Sequence, residues 1–260
     1  MDTIKMLDKA GSGHVGGPLG MADLFTAVYY NFANIDPDNA DSPDRDYILL
    51  SNGHICPIWY AVLGDLGYFR EDAKDSLRKI NSLLQGHPKV KIPGVENSSG
   101  PLGHGLSQAI GIALGLKMDK KKNRVVCFMS DGEHQEGQTW EAVMSAPKWN
   151  LDNLIAIMDY NGIQIEGTTD EIMPLGDLKS KYESFGWTAL DVNGHRFEDI
   201  LSTLEFADKV DGPVMIIGHT TGGKGVSFME GKWEYHDWKG EEGDATKALA
   251  ELEAYLQQLS

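Results

Sequence analysis

The sequence predicts an α/β fold of three layers, α/β/α, built around a mainly parallel sheet. Three apolar runs have the length and β-branched content of buried strands, at 124–130, 153–158 and 213–220, and residues 47–50 form a shorter candidate. Segments with helical periodicity separate these runs. Regular alternation of strand and helix favours parallel strands joined by crossover helices. In such sheets ligands bind beyond the carboxyl ends of the strands, so we expect functional residues there.

Helical patterns account for most of the remaining sequence. No repeat, low-complexity segment or linker interrupts it, and 260 residues are enough for one sizeable domain. We therefore expect a single domain over residues 1–260. The last predicted helix carries leucines at helical spacing, and we expect them to form one apolar stripe that packs against the rest of the domain. The predicted helices span residues 21–31, 57–64, 71–81, 104–119, 139–149, 196–207 and 245–259.

The formal net charge of −16 restricts the kinds of partner. Nucleic acid and anionic lipid both require basic surface, so neither is a predicted partner. No apolar run approaches the length that spans a bilayer. Cys56 and Cys127 both lie in apolar runs, which argues against a disulfide and predicts a reducing, cytoplasmic location.

Two polar residues follow successive predicted strands. Asp131 comes directly after one strand, and Asn161 follows the next strand 30 residues later. If the strands are neighbours, a carboxylate and an amide oxygen converge, which suits Mg²⁺ or Ca²⁺. Gly132 lets the backbone approach a phosphate, and a nearby helix N-terminus adds amide groups that favour anions. In the alternative interpretation Asp131 caps a helix and Asn161-Gly162 forms a turn.

Four further segments combine histidine with glycine. Glycine allows tight loops where the backbone nears a ligand, and histidine can hydrogen-bond a diphosphate oxygen or shuttle a proton near neutral pH. A lone loop histidine is more often a surface or capping residue, and we assign a capping role to His104. The segments are residues 12–20 (SGHVGGPLG), 50–54 (LSNGH), 85–88 (QGHP) and 100–105 (GPLGHG).

In order and spacing, these segments resemble the transketolase family of thiamine diphosphate enzymes, and the resemblance covers essentially the whole chain. The Asp131 region is similar to the thiamine diphosphate motif, in which Gly-Asp-Gly is followed at this distance by Asn. Ser130 replaces the first glycine but still supplies a backbone N–H, and Tyr160 replaces the Asn or Asp that often precedes the metal-binding Asn. The resemblance implies these metal ligands: Asp131, Asn161 and the backbone carbonyl of Ile163.

The resemblance also implies roles for four histidines. His54 and His236 would contact the diphosphate, although the segment around His236 aligns more loosely. His14 and His87 would face the reacting carbon and the first hydroxyls of the substrate. These four residues are the predicted catalytic set.

Further cofactor contacts follow from the same resemblance. Gly100 would offer its carbonyl to the aminopyrimidine, and Leu102 would pack beneath the ring. Glu136 matches an acidic position at the subunit interface of the family, with a solvated helix N-terminus as the alternative interpretation. The full predicted cofactor-binding set is His54, Gly100, Leu102, Ser130, Asp131, Gly132, Glu136, Asn161 and His236.

In the transketolase family the cofactor site is completed by a second module, whose glutamate presses on the aminopyrimidine. The resemblance therefore implies the N-terminal, diphosphate-binding subunit of a split transketolase, active only with a C-terminal, pyrimidine-binding subunit. We expect an α2β2 assembly with thiamine diphosphate and Mg²⁺ or Ca²⁺. The implied reaction is transfer of a two-carbon ketol unit from a ketose to an aldose, with the particular sugar or ketone left open.

Other interpretations share part of these motifs. The alpha subunit of a 2-oxo acid dehydrogenase has the metal motif but lacks the SNGH and PLG-x-G segments. Deoxyxylulose phosphate synthase has a similar first histidine segment but different later motifs. A non-catalytic partner of the same fold is the third alternative, against which the intact Asp131, Asn161 and histidines weigh.

Overall fold

The computed structural model describes residues 1–259. Its strands are β1 (Tyr47–Leu50), β2 (Val125–Ser130), β3 (Leu154–Tyr160), β4 (Ile163–Gln164), β5 (Gly167–Thr168), β6 (Thr188–Asn193) and β7 (Val214–His219). Five of them form a parallel sheet in the order β1-β2-β3-β7-β6, and β4 pairs with β5 in a short antiparallel hairpin.

Helices cover both faces of the sheet. On one face α1 to α4 pack with α9 and α10, and on the other face α5, α6 and α8 pack. The predicted three-layer α/β/α fold is thus confirmed. The helices are α1 (Asp2–Ala10), α2 (Gly16–Gly20), α3 (Ala22–Ala27), α4 (Cys56–Asp65), α5 (His104–Met118), α6 (Gly137–Lys148), α7 (Thr169–Ile172), α8 (Leu178–Ser184), α9 (Phe197–Ala207) and α10 (Asp244–Leu259).

Strand β2 shows why the sequence selects this architecture. All six of its residues are buried, as expected of a central parallel strand covered on both faces. Successive side chains point to opposite faces, so Val126 and Phe128 join one core while Cys127 and Met129 join the other. Cys56 and Cys127 are both buried free thiols, in agreement with the prediction.

The structure corrects two predicted elements. The helix predicted over 71–81 is only a 3₁₀ turn at Glu71–Ser76, because Arg78 and Asn81 adopt positive φ angles of 61° and 64° that end helical geometry. The stripe on α10 is also shorter than predicted. Leu249 and Leu252 pack on the core, Leu256 is 59% exposed, and the side chain of Leu259 lies outside the described part of the chain.

The parallel arrangement gathers the strand ends at one edge. In the pairing of β2 with β3, Ser130 lies opposite Asp159, so Asp131 and Asn161 emerge from adjacent strands as predicted. The loop after β1 emerges beside them, because β1 is the other neighbour of β2. Within residues 1–259, no helix has both the length and the apolar content needed to cross a membrane.

Candidate active site

A cavity of about 280 Å³ lies at the carboxyl edge of the sheet. With the exception of Glu136, each predicted catalytic, cofactor-binding and metal-binding residue lines it. Sequence reasoning did not assign four other lining residues, which are Gly17, Asp159, Gln164 and Ile165. Its lining from the predicted set comprises His14, His54, His87, Gly100, Leu102, Ser130, Asp131, Gly132, Asn161, Ile163 and His236.

Asp131 is fixed by the backbone around it. It follows β2 directly and is buried, with 1% of its surface exposed. Its two carboxylate oxygens accept hydrogen bonds from the backbone N–H groups of Gly132 and Gly162, each at 2.7 Å. Burial raises the pKa of Asp131 to about 6, although these hydrogen bonds oppose the shift.

Asp159 is a second buried carboxyl group and orients the side chain of Asn161. Its Oδ2 accepts a hydrogen bond from Nδ2 of Asn161 at 2.8 Å, and its Oδ1 accepts one from the hydroxyl of Thr220. This leaves Oδ1 of Asn161 as an acceptor, which receives the backbone N–H of Ile163 at 2.9 Å. Burial raises the pKa of Asp159 to about 7, and the charge of Asp131 adds to the effect.

His134 holds the segment that carries Asp131. Its ring is buried, and Nδ1 donates towards the carbonyls of Ser130 and Asp131 at 3.0 and 3.1 Å. With the proton on Nδ1, Nε2 accepts a hydrogen bond from the hydroxyl of Tyr182 at 2.7 Å. The loop after β2 is thereby fastened to α8, and His134 has a structural role.

His14 and His236 are brought together by a backbone bridge. Residues 13–15 run antiparallel to residues 236–238, with hydrogen bonds from Val15 N to His236 O at 3.1 Å and from Trp238 N to Gly13 O at 2.7 Å. A Cβ at Gly16 would lie 2.9 Å from the carbonyl oxygen of Tyr235, so the close approach requires glycine.

Three of the histidine rings are in mutual contact. The centroid of His14 lies 4.8 Å from that of His54 and 5.2 Å from that of His236, and the His54 and His236 centroids are 5.4 Å apart. Nε2 of His14 is also 3.4 Å from a carboxylate oxygen of Asp237. Nδ1 of His14 is buried without a hydrogen-bond partner among residues 1–259. This nitrogen therefore keeps unused hydrogen-bonding capacity.

His87 reaches the cavity on a separately anchored loop. The carbonyl of Gln85 accepts a hydrogen bond from the hydroxyl of Tyr60 at 2.9 Å, which ties the loop to α4. Burial lowers the pKa of His87, and the positive charge of the nearby, exposed Arg78 adds to this effect. Arg78 forms no ion pair with any side chain in the described range.

Burial makes all four imidazoles neutral near neutral pH. It lowers the pKa of His14 to about 4, against the opposing charge of Asp237. It also lowers the pKa of His54, His87 and His236. A neutral imidazole has one donor and one acceptor nitrogen, so these rings can orient hydroxyl or diphosphate oxygens without adding charge.

Gly100 and Leu102 lie on a loop that is hydrogen-bonded to α6. The side-chain amide of Gln138 donates to the carbonyl of Leu102 at 2.6 Å, and the loop turns through Gly103, which has a φ of 78°. His104 is the first residue of α5, at the predicted helix start, but its predicted capping role is wrong, because Gly103 occupies the cap position and no side chain caps this helix.

Glu136 is exposed at the N-terminus of α6 and does not line the cavity. Its predicted place at a subunit interface is compatible with that exposure and stays a prediction. A larger, shallow depression of about 590 Å³ lies over the ends of β6 and β7. Its His195 and His219 are each hydrogen-bonded to an aspartate, so we assign it no role in the reaction.

A parallel sheet whose strand ends carry a buried carboxylate and a half-buried amide, beside four histidines, is an arrangement that can hold a phosphorylated cofactor. The chain matches the family model described as transketolase, thiamine diphosphate binding domain, over residues 1–252. It therefore belongs to the transketolase family. The description of this family names thiamine diphosphate, which is the cofactor predicted from the sequence.

Two relatives are separate subunits of transketolases. The chain is 40% identical over 234 residues to one of the subunits of apulose-4-phosphate transketolase from Phocaeicola vulgatus, covering 90% of this chain and 83% of that protein. It is 42% identical over 253 residues to the 6-deoxy-6-sulfo-D-fructose transketolase subunit SqwG of a Clostridium species, covering 96% of this chain and 92% of that protein.

Full-length transketolases are similar over their matching part. The crystal structure of Campylobacter jejuni transketolase superposes with a TM-score of 0.92 at 33% identity, covering 97% of this chain and 41% of that one. Human transketolase is 32% identical over 258 residues, which is 99% of this chain and 41% of the human protein. The chain thus spans about two fifths of the length of these relatives. The predicted family and fold class are confirmed.

Proposed function

We propose that this chain binds the diphosphate of thiamine diphosphate together with Mg²⁺ or Ca²⁺. With a second chain it would form a transketolase that transfers a two-carbon ketol unit from a ketose to an aldose. The observation that carries the proposal is the cavity itself. It gathers Asp131, Asn161 and four histidines from separate stretches of the sequence.

The residues present fit a hard divalent cation. No cluster of three or more His, Cys, Asp or Glu side chains within residues 1–259 has the geometry of a metal site. The proposed ligands are instead one carboxylate, one amide oxygen and one carbonyl, from Asp131, Asn161 and Ile163. Magnesium commonly takes one or two carboxylates and completes its shell with phosphate and water. A cation would also offset the cost of burying Asp131 beside Asp159.

The four histidines have different proposed roles. We assign His54 and His236 to hydrogen bonds with the diphosphate. His14 and His87 would orient the hydroxyls of the sugar and hold a proton transiently. When bound, thiamine diphosphate supplies the nucleophilic carbon of the transfer. Gly100 would accept a hydrogen bond from the aminopyrimidine through its carbonyl, with Leu102 beneath the ring.

A second chain would supply the rest of the site. The two relatives that are separate subunits are named as parts of a transketolase, and the matching segment is only part of the full-length relatives. We propose a C-terminal, pyrimidine-binding partner in an α2β2 assembly, with the exposed Glu136 at the interface. The buried free thiols of Cys56 and Cys127 support a cytoplasmic location.

The relatives also favour a class of substrate. One is named for a sugar phosphate and the other for a sulfosugar, so both names denote a sugar with an anionic group. Arg78, exposed near His87 and without an ion pair among the described side chains, would attract such a group. We therefore propose a ketose donor or aldose acceptor that carries a phosphate or sulfonate.

The test is calorimetric titration of thiamine diphosphate with Mg²⁺ into the chain alone and into its mixture with a candidate C-terminal partner. Binding that appears or tightens strongly only in the mixture is the expected result. Ketol transfer by the mixture from a phosphorylated ketose would then establish the reaction. Tight binding by the isolated chain would instead indicate a self-sufficient site. Failure of every mixture to bind would favour the non-catalytic alternative.

A further inference from the structure

Glu133 is a fully buried carboxylate for which the proposed reaction provides no role. It lies two residues beyond Asp131, in the 3₁₀ turn Gly132–Gln135, and is 0% exposed. It faces no cationic side chain in an ion pair within residues 1–259. Buried carboxylates without a cation are rare, because the lost hydration must be replaced by hydrogen bonds. The position of those hydrogen bonds therefore indicates what the residue does.

Three hydrogen bonds converge on Glu133 from three different segments. Oε2 accepts the hydroxyl of Ser51 at 2.8 Å and the backbone N–H of Gly103 at 2.9 Å. Oε1 accepts the backbone N–H of Ser130 at 3.2 Å. We call Glu133, Ser51, Gly103 and Ser130 the Glu133 cluster. Its members come from the loops after β1, before α5 and at the end of β2.

Each of these segments carries residues that line the cavity. Ser51 stands three residues before His54, Gly103 directly follows Leu102, and Ser130 directly precedes Asp131. The hydroxyl of Ser51 also accepts the backbone N–H of Gly105 at 3.1 Å, so the start of α5 is included. The three segments are far apart in the chain, and one side chain bonds to all of them.

The backbone of Glu133 is itself anchored. Its carbonyl accepts the hydroxyl of the buried Thr139 at 2.8 Å, which ties the turn to α6. Next to it, the carbonyl of His134 accepts the indole N–H of Trp140 at 2.8 Å. The carboxylate therefore extends from a fixed point, as a residue that sets the positions of other loops requires.

We propose that Glu133 is a positioning residue that sets the spacing between the diphosphate-binding loop of His54 and the aminopyrimidine-binding loop of Gly100 and Leu102. Only acceptor atoms satisfy the geometry, because every partner in the Glu133 cluster points a donor at the carboxylate. The inference about the cofactor rests on the proposed function. The inference about the loops rests on the hydrogen bonds alone.

The first test is hydrogen–deuterium exchange of this chain, wild type against Glu133→Gln. The amide of glutamine must direct an NH₂ group at the Ser130 N–H or at the Ser51 and Gly103 donors, and either donor–donor repulsion displaces the side chain from Ser51 and Gly103. We expect exchange about tenfold faster at both residues 51–56 and residues 100–105, with the sheet unchanged. Acceleration confined to residues 130–136, or no change at all, would overturn the proposal.

Two further variants keep the test decisive. Ser51→Ala removes one donor and should accelerate exchange at residues 51–56 and at the start of α5 even if Glu133→Gln folds poorly. Glu96→Gln is the matched control. Glu96 is a mostly buried carboxylate that accepts two hydrogen bonds from Arg45 at 2.7 and 2.8 Å, away from the cavity. It should leave both loops unaffected, and equal loop acceleration in this control would contradict a specific role for Glu133.

A second readout connects the loops to the cofactor. In a mixture that binds thiamine diphosphate with Mg²⁺, Glu133→Gln should raise the half-saturating concentration of the cofactor about tenfold while kcat at saturation changes less. A merely structural defect would lower the active fraction and kcat without moving half-saturation, and that result would refute positioning. If the wild-type mixture binds no cofactor, the proposed function fails, while the exchange experiment still decides the role of Glu133.

Discussion

Two groups of side chains line one cavity and are held in different ways. The acidic group consists of Asp131 and Asp159, and the histidine group consists of His14, His54, His87 and His236. The acidic group lies at strand ends, and each carboxylate accepts two hydrogen bonds from the protein. The histidine group lies mainly on loops, and the buried Nδ1 of His14 has no partner within residues 1–259.

The difference shows how burial prepares each group for a ligand. Burial disfavours charge, so it raises the pKa of the carboxyl groups and lowers the pKa of the histidines. The acidic group is fixed in place, and a bound cation would stabilise its ionised form. The histidine group keeps unused hydrogen-bonding capacity for oxygen atoms.

The largest effect is expected from Asp131→Asn, which removes the charge from the acidic group and keeps its shape. Affinity for thiamine diphosphate with Mg²⁺ should fall by about 100-fold or more, because the proposed cation ligand loses its charge. Calorimetry of the reconstituted mixture measures this. Asp46→Asn is the control, since Asp46 is similarly buried but bonded to Arg124 at the opposite edge of the sheet. Similar losses in both variants would disprove a specific cation site.

The histidine group should respond less strongly. His54→Ala removes the hydrogen bond that we propose between His54 and the charged diphosphate, and cofactor affinity should fall about 20-fold. The matched control is His219→Ala, which alters an exposed histidine on the same edge that lies outside the cavity. Unchanged cofactor affinity in His54→Ala would remove His54 from the diphosphate site.

The pH dependence of stability should have opposite signs in the two groups. The folded-state pKa of Asp159 is raised to about 7, so its ionised form destabilises the fold above that pH, and lowering the pH towards 4 relieves the effect. The folded-state pKa of His14 is lowered to about 4. Between about pH 6.5 and pH 4, the unfolded chain therefore binds a proton at His14 that the folded chain does not bind. Lowering the pH through this range reduces the stability of the folded state.

Urea unfolding without divalent cations at pH 5 and pH 8 separates these effects. Relative to the wild type, Asp159→Asn should be more stable at pH 8 than at pH 5 by about 2–3 kcal/mol. His14→Asn should show a difference of the opposite sign. The same sign in both variants would contradict the opposed effects of burial.

The smallest expected effect concerns the hydrogen bond between Tyr182 and His134, the residue that holds the segment of Asp131. Tyr182→Phe removes the hydroxyl that donates to His134, and should lower the free energy of unfolding by about 1 kcal/mol. The exposed Tyr255 provides the control variant Tyr255→Phe, for which thermal unfolding should not change. No loss in Tyr182→Phe would show that His134 does not need this bond to hold its loop.

The sequence predicted most of the cavity because its residues lie within recognisable segments at strand ends. It missed Asp159, although that residue stands two positions before Asn161, because a strand-terminal aspartate has the same local pattern whether it faces solvent or a ligand. It missed β6 because that edge strand is only partly buried and lacks an apolar run. Arg78 and Asn81 adopt positive φ angles within the helix predicted over 71–81, and helical periodicity alone does not reveal such backbone reversals.

The bridge between residues 13–15 and residues 236–238 has a consequence for the order in which this site is made. His14 and His236 are about 220 residues apart in the chain, so their contact is among the most non-local in the molecule. On a ribosome, β1 to β3 and the acidic group would emerge long before His236. The histidine group is therefore expected to be one of the last parts to assemble, and cofactor capture should follow nearly complete synthesis of these residues.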